Sequence, residues 1–215
     1  MKLRSTLTKL AAAAFTGALA TGLAVSPAQA APSEQSLVAV LTAGGNGTFD
    51  HNWYDYDIVT QAVVAVLAAK PNSNVKLLAH GSVPLTAFIP NDRAFRLLAH
   101  DVSHKWQKTE KQVFDKLVAK LGVDAIEKVL LYHVVPGGPI LAKDALKADG
   151  AKLATALPGA SITVDVKGKN VPVIILRDRD RNDADPRVNP WQTDINEGNK
   201  QVAHGITRVL RPINL

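Results

Sequence analysis

The sequence predicts an α+β fold. In its first half, apolar residues recur at helical spacing and only a few strands are interleaved; in its second half, consecutive β-prone runs are joined by short turns rich in Gly and Pro. That order favours antiparallel pairing and disfavours the regular strand-helix alternation of a doubly wound nucleotide fold. The chain contains no cysteine, so no disulfide can staple it and stability must come from the core.

The N-terminus reads as an export signal. Lys2, Arg4 and Lys9 precede the apolar run Ala11 to Ala24, and Ala28-Gln29-Ala30 supplies the small residues a signal peptidase requires. The apolar run is short for a bilayer span. The expected organisation is therefore a signal peptide over 1–30, a polar, Gly-containing lead-in over 31–49 and a single domain over 50–215. Without the leader 185 of the 215 residues remain, enough to bury roughly 70% of the surface the unfolded chain exposes. The leader carries three of the 25 basic residues and none of the 19 acidic ones, so the net charge falls from +6 to +3. Trp53, Trp106 and Trp191 lie outside Lys/Arg clusters, and nucleic-acid binding is not expected.

Asp57 can cap a helix with Ile58, Ala62, Val63, Val66 and Leu67 on one face. Val75 to Leu78 and Leu85 to Ile89 read as two strands around the turn His80-Gly-Ser, and Pro90 stops the second. Asn91 or Asp92 caps the next helix, whose stripe is Ala94, Phe95 and Leu98. Thr109 with Gln112 forms a capping box before Val113, Leu117 and Leu121; Gly122 sits where a left-handed cap ends that helix, and Asp124 with Glu127 opens another. Val129 to Val135 favours a strand closed by Pro136-Gly-Gly138. Ile162, Val164 and Val166 alternate with polar residues, Gly168-Lys-Asn170 turns the chain, and Val171 to Leu176 returns, with Pro172 marking an edge. Ile206 to Leu210 makes the closing strand.

Three separated segments carry a family resemblance: Leu85-Thr-Ala-Phe-Ile-Pro-Asn-Asp-Arg-Ala-Phe95, Leu130-Leu-Tyr-His-Val-Val-Pro136, and Asp194-Ile195 followed by Gln201-Val-Ala-His-Gly-Ile-Thr-Arg-Val-Leu-Arg-Pro212. In order and spacing they resemble the signature stretches of fasciclin-like domains, most closely those of exported prokaryotic proteins with one such domain. The resemblance implies a wedge of antiparallel β-sheets with several packed helices. It further implies a secreted, non-enzymatic adhesion module, extracellular or held at the cell surface, whose partner is a surface or matrix protein or polysaccharide. In animal members the Tyr-His stretch and an Asp-Ile pair have been proposed as receptor contacts, which correspond here to Tyr132, His133, Asp194 and Ile195. Tyr132 and His133, on a strand, would face opposite sides, one in the core and one partly exposed. Some fasciclin-like proteins bind apolar pigments, so a carrier of a small apolar ligand is the alternative.

The chain departs from the family pattern at the spacing before His204 and at the elongated stretch Arg177-Asp-Arg-Asp-Arg-Asn-Asp-Ala-Asp-Pro186. There Asp178, Asp180 and Asn182 alternate as in a calcium loop, but Asp183 stands where the turn needs Gly and Asn189 where a bidentate Glu belongs. Arg177, Arg179 and Arg181 compensate Asp178, Asp180, Asp183 and Asp185, so a solvated loop of mutual ion pairs and a possible contact surface are expected, without a metal. His100 and His104 have the spacing of a zinc pair on a helix, the basis of a third reading as a zinc hydrolase; Asp101 replaces the Glu that activates water, and no third ligand is evident. No catalytic residue and no cofactor are expected.

Overall fold

Helix α1, Leu37–Ala43, starts the fold within the stretch read above as a polar lead-in. Ser36 caps it by accepting from the Ala39 amide, and Leu37 and Leu41 are buried. The computed structural model describes residues 34–214, so the expected signal peptide lies outside the described residues. Gln201, fully buried, fastens α1 to the rest: its Oε1 accepts from Leu37 N at 2.9 Å, while Nε2 donates to the carbonyls of Leu77 and His80 at 2.8 Å. A glutamine at the end of the polar run Asn196 to Lys200 carries no sequence signal for such a role.

Helix α2, Asp57–Ala69, packs on α4, Glu110–Tyr132, with α3, Asp92–Ser103, beside them. Asn91 caps α3 as expected, accepting from Ala94 N at 3.0 Å. Asn91→Ala should cost about 1 kcal/mol in chemical unfolding, the usual penalty for an uncapped amide; an unchanged midpoint would rule the cap unimportant. Thr109 caps α4 by accepting from Gln112 N, and the Gln112 side chain reaches back to Lys108 N.

Three expected elements change. Val75 to Leu78 lies in a 3-10 turn, Asn74–Ala79, because Ser73 Oγ accepts from Val75 N and bends the chain away from a strand. At Gly122, φ 73°, the backbone leaves helical geometry and α4 breaks into two helical stretches at a kink, as expected, and Asp124 and Glu127 of the second stretch pair with Lys70 at the α2 end. The helix then runs through Tyr132, where a strand was expected, so that Val129 and Leu130 pack into the helical core; only Val134–Pro136 forms a strand, β2. The closing strand, β6, occupies Gln201–Ile206, earlier than expected.

β1, Leu85–Pro90, is central in a sheet of order β2-β1-β6, antiparallel to β2 but parallel to β6. The fold is α+β, and this parallel pair is its exception to antiparallel pairing. Alternation places Leu85, Ala87 and Ile89 in the core beneath the helices and Phe88 in the core shared with the second sheet. Gly205 lies where a Cβ would stand 2.3 Å from the Tyr56 hydroxyl, so only glycine fits. The second sheet, β3 (Lys152–Ala154), β4 (Ser161–Lys167) and β5 (Val173–Arg177), is antiparallel, with Ile162, Val164, Ile174 and Leu176 facing inward. A short helix α5, Ala142–Ala145, precedes it.

Candidate functional site

The expected contact residues separate by burial. Tyr132 ends α4 fully buried, its hydroxyl donating to Ser161 O at 3.0 Å across to β4. His133, 5% exposed, follows as the helix cap. Its Nδ1 meets Val129 O at 2.7 Å and its Nε2 accepts from Leu210 N at 2.9 Å, which sets the neutral Nδ1–H tautomer. Burial drives its pKa down from 6.5 to about 4, against the opposing pull of the Val129 carbonyl. A partner cannot reach either ring in this fold. Their packing joins the helical layer to both sheets.

Asp194 is half-buried in a left-handed turn at φ 55°. Its Oδ1 accepts from Ala142 N at 2.8 Å and its amide donates to His204 Nδ1 at 3.3 Å. The His204 Nε2 meets Ile140 O at 2.8 Å, and burial lowers the pKa of the ring. Ile195 bridges Ala203 of β6 and is also half-buried. These two residues shape a turn while leaving part of their surface to solvent.

The stretch 177–186 differs from the solvated loop expected. Strand-like alternation turns its carboxylates inward and leaves Arg177, Arg179 and Arg181 exposed. Asp180 is buried against Arg211, itself 5% exposed, whose guanidinium also meets Asp183 at 3.0 Å and Asp101 of α3. The Arg211 amide donates to Asp178 Oδ2 at 2.8 Å. Burial nevertheless pushes Asp178 up to about 6, opposed by that bond and by the Asp180 amide. Arg177 reaches Asp165 of β4 and Asp185, and Arg208 meets Asp183 at 3.2 Å. Two of the calcium-like trio, Asp178 and Asp180, are thus engaged by Arg211, far along the chain, and Asn182 donates its main-chain amide to Asp180.

Beyond this network the segment continues through exposed Arg187 to Trp191, 92% exposed, and Gln192 Nε2 donates to the carbonyl of Tyr54, another exposed aromatic. Sequence reading weighed Trp191 only against nucleic-acid binding; a tryptophan inside a polar stretch, away from any apolar periodicity, was the signal for an exposed contact.

His100 and His104 do not make a zinc pair. His100 stacks on Trp106 with centroids 4.1 Å apart, and His104 lies past the last helical residue at φ 55°. Apolar cavities of about 30 Å³ and about 20 Å³ lie beneath the helices, the first lined by Phe95, Leu98, Phe114 and Leu117. A pigment-sized ligand needs roughly 300 Å³ or more, so neither can hold one without rearrangement.

A different cluster, unforeseen in the sequence, gathers where α2, α3 and α4 begin. Their first residues, Asp57, Asp92 and Glu110, are all buried, and one carboxylate oxygen of each lies within 4.8 Å of the others. Asp50 and Asp55 form a second such trio with Asp57. Burial pushes Asp92 up to about 9, with the Asp55 and Asp57 charges adding and the Ile58 amide opposing. Burial also raises Asp55.

The fasciclin-domain profile matches residues 59–212, more than half of the chain. The chain belongs to the fasciclin-domain family. Such domains are typically non-enzymatic adhesion modules of extracellular or surface proteins. Among solved structures it is similar to the fasciclin-domain pair of the insect cell adhesion molecule fasciclin I, at 13% identity with a TM-score of 0.46. The match covers 70% of this chain and 44% of that one, so the chain spans under half the length of that relative. No curated protein matches the chain. Among the described residues, no helix is long and apolar enough to cross a membrane.

Proposed function

We propose that this chain is a secreted adhesion domain that binds an anionic extracellular polysaccharide through the segment 177–195, without catalysing a reaction. The observation that carries this reading is the run of exposed Arg179, Arg181 and Arg187, next to Arg177 that pairs with Asp165 and Asp185, ending at the bare indole of Trp191 with Tyr54 tied alongside. Guanidinium groups pair with carboxylates or sulfates, and flat aromatic rings supply rigid apolar contact. The inward carboxylates are already engaged, which leaves the outer face basic. Asp194 and Ile195 flank this surface, and Tyr132 and His133 support it from within.

The test is binding of the purified chain to acidic and neutral polysaccharides at increasing salt. Saturable binding to the acidic polymer, weakening as salt screens it, is expected. W191A/Y54A and R179E/R181E should each lower affinity by about tenfold or more with the fold intact, the loss typical of truncating interface anchors. Equal binding by wild type and both variants would move the contact elsewhere, and no saturable binding to any polymer would sink the reading.

A further inference from the structure

Each carboxylate at the joint start of α2, α3 and α4 is held by one oxygen and bare at the other. Asp57 Oδ1 accepts from Gly47 N at 2.6 Å, Asp92 Oδ1 from Ile58 N at 2.9 Å, and Glu110 Oε2 from His51 N at 3.0 Å. Their remaining oxygens, Asp57 Oδ2, Asp92 Oδ2 and Glu110 Oε1, are buried without a hydrogen-bond partner, as is Asp55 Oδ1. The three residues that carry the first set are 1%, 0% and 1% exposed. An orphaned buried oxygen ordinarily costs about 1–3 kcal/mol, more when charged, so three fully buried together call for a common partner.

Protein cations do not supply that partner. Among the described residues no Lys, Arg or His side chain forms an ion pair with Asp50, Asp55, Asp57, Asp92 or Glu110. The neighbouring Lys111 turns to Asp115 at 2.7 Å. Three helix N-termini contribute about +0.5 charge each, roughly +1.5 against three fully buried carboxylates and the further acids Asp55 and Asp50. A net negative charge remains.

We propose that Asp57, Asp92 and Glu110, with Asp55 completing the shell, form a binding site for a divalent cation, calcium by preference. The donors are all hard oxygens, as calcium requires. Oxygens within 4.8 Å of one another can surround one ion at bond lengths of about 2.3–2.6 Å. The main-chain amides fix each carboxylate's orientation in advance, the outer support that metal ligands ordinarily need. Glu110 and His51 also line an open cleft of about 490 Å³, which gives the ion a route in. The alternative neutraliser is a proton shared by Asp55 and Asp92, whose carboxyls lie within hydrogen-bonding reach. The site stands on its own residues and does not depend on the polysaccharide reading.

Calorimetric titration of the chelator-stripped full chain with calcium and with magnesium, beside thermal melts, tests the site. Calcium should saturate a single class of site, with magnesium weaker because it resists dehydration and demands a tighter octahedron. At a hundredfold excess over Kd the melting temperature should rise by about 5 °C or more. Asp92→Asn and Glu110→Gln keep the shape and the amide contact; each should weaken calcium by about tenfold or more, while Asp124→Asn at the exposed Lys70 pair leaves it unchanged. Stripped wild type with neither a calcium heat nor a shift in melting at millimolar calcium would overturn the site, as would calcium affinity unchanged in both D92N and E110Q.

Discussion

Arg211→Ala is expected to destabilise the fold by about 3–5 kcal/mol, the usual consequence of leaving a buried charge without its partner. Asp180 is 3% exposed and faces Nη1 of Arg211 at 3.3 Å, while Nη2 of the same guanidinium reaches Asp183 and Asp101. One side chain therefore ties the 177–186 segment and α3 to the C-terminal end. Lysine should recover only part of the loss, since a single ammonium cannot span three carboxylates in fork geometry. The double variant Asp180→Leu with Arg211→Met should be more stable than Arg211→Ala alone, because it removes both the charge and its desolvation penalty. Urea unfolding of the set measures this. A loss under 1 kcal/mol for Arg211→Ala would mean that water reaches Asp180 and that the network contributes little.

His133 should make the fold acid-sensitive by about 3 kcal/mol. Its folded pKa is about 4 against an ordinary 6.5, and each unit is worth about 1.4 kcal/mol. Above pH 6.5 the ring is neutral in both states, so its full contribution is present. As pH falls from 6.5 the unfolded chain takes up a proton that the folded chain refuses, and stability is lost progressively until about pH 4. The chemical reason is local: protonation would set a second N–H against the Leu210 amide that now donates to Nε2. Asp178 and Asp92, both raised, act with the opposite sign, gaining relative stability as pH falls. The His133 part must therefore be read from its own ring signals in an NMR titration. A midpoint near 4 is expected; a midpoint at 6.5 in a folded protein would mean the ring is solvated.

The local devices of this fold were legible in the chain. Asn91 and Thr109 were readable as caps because a cap is a contact over three residues. The β4–β5 hairpin was readable because alternation and a Gly-Asn turn specify both strands and their register nearby in sequence. The family was legible too, from three stretches whose order survives even where each is weak. What failed were the ambiguous apolar runs. Val129 to Val135 has the composition of a strand, but α4 continues through Tyr132 because the helical core accepts Val129 and Leu130. No local rule decides between those outcomes.

By itself the sequence determined where α2, α3 and α4 start, the second sheet's hairpin and the family to which the chain belongs. Tertiary structure alone decided which polar residues face inward. Gln201 gained its partners by lying parallel to β1 at a distant register, and Arg211 gained three carboxylates from two separate segments. Asp57 was expected to cap α2, but Tyr56 holds the cap position and Asp57 accepts instead from Gly47 N; Asp92 was read at the start of α3, and Glu110 was not singled out, although a helix start stabilises any single carboxylate. Only the packing of three helix N-termini together makes them one buried cluster, because charge neutralisation depends on distance in space and not along the chain.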